Sequence, residues 1–540
     1  MRTKLYLALA AGAAFVLAPS LARAAVIQVT PGDSYAKIEA AGPGDEVVIA
    51  PGTYKFRVYL TQTGTPSQPI KIHAKDPANP PVWDLTGTLA ENLPGSYSGG
   101  DKARGCWQVS GGTNYVIESI VIKGCSTAGH NAAGLRYYGG ASVTLRDMLF
   151  DNNDNGLTGG TENSTAVVEF SEFNHNGNLQ ASANAPTHNL YIYGGDFTLR
   201  YSYVHDPAQA QNFHIRAVTS VLEYNWFARA ASYEGDLMTS DDFNGGTITQ
   251  TMLFRGNVVL QAQSPGNGSQ VVTLYNDAGM SGVTLNATLV NNTFVGNGTH
   301  AAFVHLSNAD GTPMKAEIDN NIIYGTSMAQ MTEDTANGVI TGQNNWMATG
   351  SDDTNLTGTL FGADPKFNGA AAKDFTIGSG SLCLGGAAVV ANVPDREYFQ
   401  NEANARMYRV RTAVHDIGAF DGTTTGAGVG PYGNPPPGSD AGAGGSDAGV
   451  TAGDGGLAGN ADGGLLGNGG EGGLPGSAGG GGTPPGSNGA TPNGSDGSTG
   501  GCSAAPRTSP TPLAAFGVAL FAGAAAFRKK RRPPSSSGRS

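Results

Sequence analysis

Along the middle of the chain, short runs of alternating apolar and polar residues end the same way. A small polar residue is followed by a β-branched or aromatic pair. The phrase stands at Ser119 (SIVI), Asp147 (DMLF), Ser171 (SEFN), Ser202 (SYVH), Asn225 (NWFA), Asn257 (NVVL), Asn292 (NTFV) and Asn321 (NIIY), with 23 to 35 residues between copies. Period-two alternation predicts strands. A self-similar phrase at this spacing predicts a stacked repeat, in which each unit buries its apolar face only against its neighbours. The expected fold is all-β, a parallel β-helix over residues 25–422.

Each middle coil carries a second strand: AGLRYY from Ala133, NGLTGG from Asn155, HNLYIY from His188, QNFHIR from Gln211, GDLMTS from Gly235, QVVTLY from Gln270 and FVHLSN from Phe303. Side chains alternate between the two faces of a strand. Aligned on these segments, Leu135, Leu157, Leu190, Phe213, Leu237, Val272 and Val304 form an inward apolar column. The outward column is then Arg136, Thr158, Tyr191, His214, Met238, Thr273 and His305. Two residues on come Tyr138, Tyr193, Arg216, Ser240, Tyr275 and Ser307. The recurrent Asn225, Asn257, Asn292 and Asn321 are assigned to an internal ladder of amides, a structural role.

The outward columns make a stripe that suits an extended sugar chain, because sugar rings stack on Tyr while Arg takes carboxylates. Arg136, Tyr193, Tyr275 and His305 are the expected substrate-binding residues. His188, Tyr191, His214 and Arg216 lie on adjacent rungs and are the catalytic candidates. Glu234, Asp236, Asp241 and Asp242 lie beside them as candidate ligands for calcium, which takes oxygen donors.

Two chemistries fit. A uronate lyase needs a base for the proton α to the carboxylate and a cation or metal for the enolate charge. His214 or Tyr191 would be that base and Arg216 the cation. A glycoside hydrolase needs two carboxyls flanking the scissile bond, and Asp241 and Asp242, being adjacent, diverge on a regular strand. A third reading needs no chemistry, with the stripe binding a glycan as an adhesin would. The plain alternative is a solvated sheet face, where Tyr and Thr are good strand formers. His214, Arg216 and Asp236 in separate pockets would favour adhesion, and one convergent cluster would favour catalysis.

The ends of the chain concern location. Arg2 and Lys4, the apolar run Leu5 to Leu17 and Ala22-Arg23-Ala24 have the form of a secretory signal over 1–24. Ser34 to Ala41 predicts a short amphipathic helix with Ser34 as its N-cap, covering the open end of the stack. Many of the 82 glycines fall in residues 423–501, a Gly/Ser/Asp-rich stretch with too little apolar surface to fold, hence a disordered linker. Residues 502–540 hold an apolar run, Leu513 to Phe527, followed by Arg528-Lys529-Lys530-Arg531-Arg532, the form of a membrane stop. Cys106 and Cys125 either pair or remain two buried thiols. The net charge of −12, with no basic patch outside the tail, argues against a nucleic-acid partner. The expected state is a monomer.

The opening PGDEVVIAPGTY after a small helix resembles the start of secreted pectate-lyase-like β-helix proteins. The closing DPKF…DFTI…DIGAFD, Asp364 to Asp421, resembles the segment that caps many bacterial β-helix proteins, with SLCLGG in place of the usual Ser-Pro-Ala-Ile-Asp core. The resemblance implies a right-handed parallel β-helix and a polysaccharide partner. The stretch from His188 onward resembles a recurring segment of the same proteins. Where they carry Lys-Ser-Arg-Ala, this chain has Phe213-His214-Ile215-Arg216-Ala217, without the lysine. Gly501-Cys502, the apolar run and the Arg cluster resemble the sorting tails of myxobacterial surface proteins. That implies Cys502 as the processed, lipid-bearing residue and a place at the envelope surface of a Gram-negative bacterium.

Overall fold

Strand alternation is realised as three faces of a coil. In a computed structural model, the chain is described over residues 24–433, except 98–103, 162, 182–185, 262–269, 278, 297–301, 326–328, 400–405 and 413–414. Among the described residues, three long parallel sheets of 13, 12 and 10 strands run in sequence order, each coil giving one strand to each sheet. This is a parallel β-helix. Its core is one continuous apolar column, filled by stacked side chains such as Leu145, Phe150, Phe173, Leu199 and Phe254. Residues 1–23 of the expected signal segment, most of the expected linker and the whole 502–540 tail with Cys502 lie outside the described residues. None of the described helices is long and apolar enough to cross a membrane.

The recurrent phrase marks a two-residue corner between the 13- and 12-stranded sheets. Its first residue is left-handed and its second faces inward. Asn225, Asn257, Asn292 and Asn321 hold the inward place. Each backbone N–H donates to the amide oxygen of the next rung at 2.9 Å, and the ladder ends on Asn345. Ser171 and Ser202 extend it with hydroxyls. Ser119 and Asp147, grouped with these by pattern, sit one place earlier, in the left-handed position at φ 56° and 54°. Ile120 and Met148 hold the inward place there. Small polar residues suit both corner positions, so the phrase slips by one without penalty.

Phe170, Tyr201 and Tyr224 also occupy the left-handed place, at φ 49°, 54° and 55°, where bulky residues are uncommon. They stack on one another, with Tyr408 laid over Tyr201 at 4.3 Å. Just before each corner runs a column of alternating charge: Glu118, Arg146, Glu169, Arg200, Glu223 and Arg255. Ion pairs link neighbours along it, from Arg146–Glu118 at 2.9 Å to Arg255–Glu223 at 2.6 Å.

The inward column departs from the sequence alignment at one rung. Phe213 pairs with Gly235, and Gly235 with Val272, so Leu237 lies two residues off the predicted register. A Cβ on Gly235 would lie 2.0 Å from the Phe213 ring. The ring fills the space that an apolar side chain would have marked.

Two further expectations change, and one left open is resolved. The N-terminal helix is one turn, Ala36–Glu39, preceded by Tyr35 and without a side-chain cap from Ser34. Cys106 and Cys125 are bridged, with Cα atoms 6.1 Å apart, and Cys383 is a buried thiol. The closing segment runs back along the flank of the stack. Its hairpins Phe367–Gly369/Asp374–Ile377 and Arg396–Phe399/Met407–Val410 are antiparallel. Phe375 and Tyr398 cover Trp226, the Tyr224 hydroxyl donates to Asp395 at 2.7 Å, and Arg406 pairs with Asp147 at 3.1 Å. Outward Tyr203, Trp226 and Val258 are thereby buried. Val429 still bonds to Tyr408, so this strap reaches into the stretch that composition assigns to the linker.

Candidate functional site

Strand parity sets the outer face of the ten-stranded sheet. Arg136, Thr158, Tyr191, His214, Asp236, Thr273 and His305 are successive neighbours in one column. Asp236 takes the place that the alignment gives Met238, and Met238, paired with Tyr275, takes that of Ser240. The two-residue slip at Gly235 thus brings a carboxylate directly beside an imidazole.

His214 Nδ1 lies 3.0 Å from Asp236 Oδ1, and the Tyr233 hydroxyl donates to Asp236 Oδ2 at 2.9 Å. Arg216 Nε donates to His214 Nε2 at 3.2 Å. A guanidinium only donates, so Nε2 is the accepting nitrogen and Nδ1 carries the proton held towards Asp236. In this arrangement His214 Nε2 is engaged by Arg216. His188 stacks on it at 4.8 Å, and Tyr191 meets it edge-on at 4.5 Å. Burial pushes the His188 imidazole well below its ordinary range, and the Arg216 charge adds to the effect.

The cluster has two levels. His188, His214, Arg216 and Asp236 are at most 3 % exposed, while Tyr191, Tyr193, Tyr233 and Tyr275 reach the surface. Arg216 donates from Nη1 to the Thr239 carbonyl at 2.9 Å and to Asp241 at 3.4 Å, and from Nη2 to Asp277 at 2.5 Å. Burial alone would lower the pKa of this guanidinium, but Tyr191, Asp277 and Asp241 outweigh it and hold the charge. Asp241 is the accessible carboxyl, with 41 % of its side chain exposed. Burial is the main cause that raises it, with Asp277 and Asp242 beside it, against the pull of Arg216.

The four expected calcium ligands do not converge. Glu234 is fully buried at the end of a second amide ladder, Asn153, Asn176, Asn189 and Asn212, and accepts from Asn212 Nδ2 at 2.9 Å. Asp236 serves His214 and Tyr233. Asp242 accepts from the Gly195 N–H at 2.7 Å. Among the described residues, no group of three or more His, Cys, Asp or Glu is placed to hold a metal ion.

The expected binding residues spread along the groove. Tyr193 packs 4.6 Å from Tyr191, and Arg136 lies 4.9 Å over Tyr138. His305 is three rungs from His214, roughly 14 Å, and pairs with Glu333 at 3.1 Å. Sequence reasoning missed Asp277 and Tyr233. Asp277 continues the parity of Thr273 and Tyr275, and that is the signal which could have found it.

No protein-family model matches the chain, and no curated protein sequence matches it. Among solved structures it is similar to pectate lyase Pel9A, at 14 % identity and TM-score 0.47 over 74 % of this chain and 96 % of that one. It is also similar to an alginate lyase from Paenibacillus sp. str. FPU-7, at 16 % identity and TM-score 0.37 over 58 % of this chain and 99 % of that one. A PL6-family polysaccharide lyase from Pseudopedobacter saltans matches at 12 % identity and TM-score 0.37, over 67 % and 99 %.

Proposed function

We propose that this β-helix binds an extracellular polysaccharide along the ten-stranded sheet and cleaves it by β-elimination at a uronate. The observation that carries this reading is the convergence of Tyr191, His214, Arg216 and Asp236 in one cluster, with the Tyr191 ring 4.5 Å from His214. An adhesive surface has no need of a buried Asp–His–Arg chain beneath a half-buried phenol. Tyr191, acting as the phenolate beside the Arg216 charge, takes the proton α to the uronate carboxylate and becomes the neutral phenol. The buried His214 acts behind it as a positioning residue, and Arg216 supplies positive charge where the enolate develops. Asp241, whose carboxyl burial raises, returns a proton to the leaving glycosidic oxygen. Secretion through the 1–24 segment and surface attachment through Cys502 belong to the same proposal.

The test is a panel of polyuronates assayed for the ultraviolet absorbance of unsaturated uronate ends. The expected result is release by the wild type and loss of at least a hundredfold in Tyr191→Phe, the usual scale for a positioned proton-transfer group. New reducing ends without absorbance would mean hydrolysis, and binding without cleavage would mean adhesion. Either outcome rejects the elimination.

A further inference from the structure

The outer column of the ten-stranded sheet does not end at Tyr191. Towards the N-terminal coils it continues through Thr158 and Arg136 to Gln108 and Tyr59. Leu135 and Tyr137 are fully buried, whereas Arg136 and Tyr138, which alternate with them, are partly exposed. Both therefore stand on the outer face. On the other side of Tyr191 the columns carry Thr273, Tyr275 and His305, and His305 is paired with Glu333. Among the described residues of these columns, Arg136 is the guanidinium that reaches the surface, since Arg216 is buried.

The residues at this end hold one another in place. Arg136 lies over the Tyr138 ring, and Gln108 Nε2 donates to the Tyr138 hydroxyl at 2.6 Å. Tyr59 stacks on Tyr97 at 4.4 Å, and both rings are partly exposed. A ring already fixed loses little freedom when a ligand settles on it. Tyrosine faces receive the apolar faces of sugar rings, and a guanidinium fork receives a carboxylate. The spacing fits as well. Arg136 is two rungs from Tyr191, roughly 10 Å, and Tyr59 is four rungs away, roughly 19 Å. A pyranose ring in an extended chain advances by about one rung.

We infer that Arg136, Tyr138 and Tyr59 form a distal subsite, which takes a uronate carboxylate on Arg136 away from the unit at Tyr191 and commits the groove to long acidic chains. This rests on the uronate reading above and adds to it where the chain lies and which residue selects its charge. No bond is made or broken at this subsite. A neutral sugar can stack on the tyrosines but offers Arg136 no carboxylate, so the subsite separates acidic from neutral chains.

The experiment measures calorimetric binding of the full chain to polygalacturonate, to its neutral methyl ester and to alginate, with wild type, Arg136→Gln and Arg136→Lys. Arg136→Gln removes the charge, and Arg136→Lys keeps the charge without the fork. The expected result is a loss of affinity for the acidic chain of roughly tenfold in Arg136→Gln, the scale of a hydrogen bond to a charged group. The loss in Arg136→Lys should be smaller, and the methyl ester should bind all three proteins alike. Wild-type affinity for the acidic chain in Arg136→Gln would overturn the inference, and so would an equal loss on the methyl ester. Failure of both variants to unfold cooperatively would make Arg136 a structural residue and overturn it too. Where the chain is cleaved, the loss should fall in KM, because Arg136 lies away from the proton transfer. A fall in kcat alone would place Arg136 at the reacting unit and overturn the distal subsite. The ultraviolet absorbance of unsaturated ends is scored separately. Cleavage by a wild type whose Arg136→Gln variant binds as tightly keeps the function and loses the subsite. Charge-selective binding through Arg136 without cleavage keeps the subsite and loses the elimination, and a wild type that binds neither acidic chain overturns both.

Discussion

Gly235 shows how one residue sets the chemistry of the site. Its missing side chain leaves room for the Phe213 ring, and the register that follows places Asp236 beside His214. Gly235→Ala puts a Cβ against that ring, and overpacking of this kind costs about 1–3 kcal/mol. Chemical denaturation should show the loss, and adding Phe213→Leu should recover part of it. Simple addition of the two costs would contradict the steric account. The same glycine explains why the site was only partly legible beforehand. His214, Arg216 and Tyr191 declared themselves through strand parity. Asp236 is legible as a neighbouring acidic residue, but its register against His214 is not, because the apolar marker of its rung is absent. Asp277 lies past the end of its strand, where only the continued parity of Thr273 and Tyr275 separates it from any other turn aspartate.

At the scale of the element, the two amide ladders carry the corners. Amide side chains repeated at coil spacing have few uses inside a core, which is why the Asn225-to-Asn321 series was readable from its pattern. The second ladder is harder to see in the sequence because it ends in a carboxyl, Glu234, a residue type that also suits a metal ligand. Asn257→Ala leaves the buried N–H of Asn225 without its acceptor, a loss of about 1–3 kcal/mol. Denaturant midpoints compared with those of the exposed Thr251→Ala should show it. Glu234 adds a pH dependence. Burial raises its carboxyl from 4.5 to about 8 in the folded chain. The folded state therefore holds a proton that the unfolded state releases. This contribution to stability is complete below pH 4.5 and is lost as pH rises towards about 8. Glu234→Gln keeps the ladder contact and should flatten that part of the stability profile. An unchanged slope would mean that the carboxyl is not buried as described.

For the whole molecule, the C-terminal strap and the groove divide the surface. The strap covers the outward aromatic column of the twelve-stranded sheet, and the ten-stranded sheet keeps its tyrosines partly exposed. Ending the chain after Gly362 should lower Tm and shift tryptophan emission to the red, because Trp226 is fully buried under Phe375 and Tyr398. Unchanged emission would contradict the burial. The parallel stack was legible because its period repeats many times, whereas the strap is read once and resembled a terminal cap. The most direct test of the functional account is the mass of the oligosaccharides released from a polyuronate. The account predicts products one water lighter than hydrolytic fragments, formed by the wild type and not by Tyr191→Phe. Fragments carrying the full water, or equal release by the Tyr191→Phe variant, would contradict it.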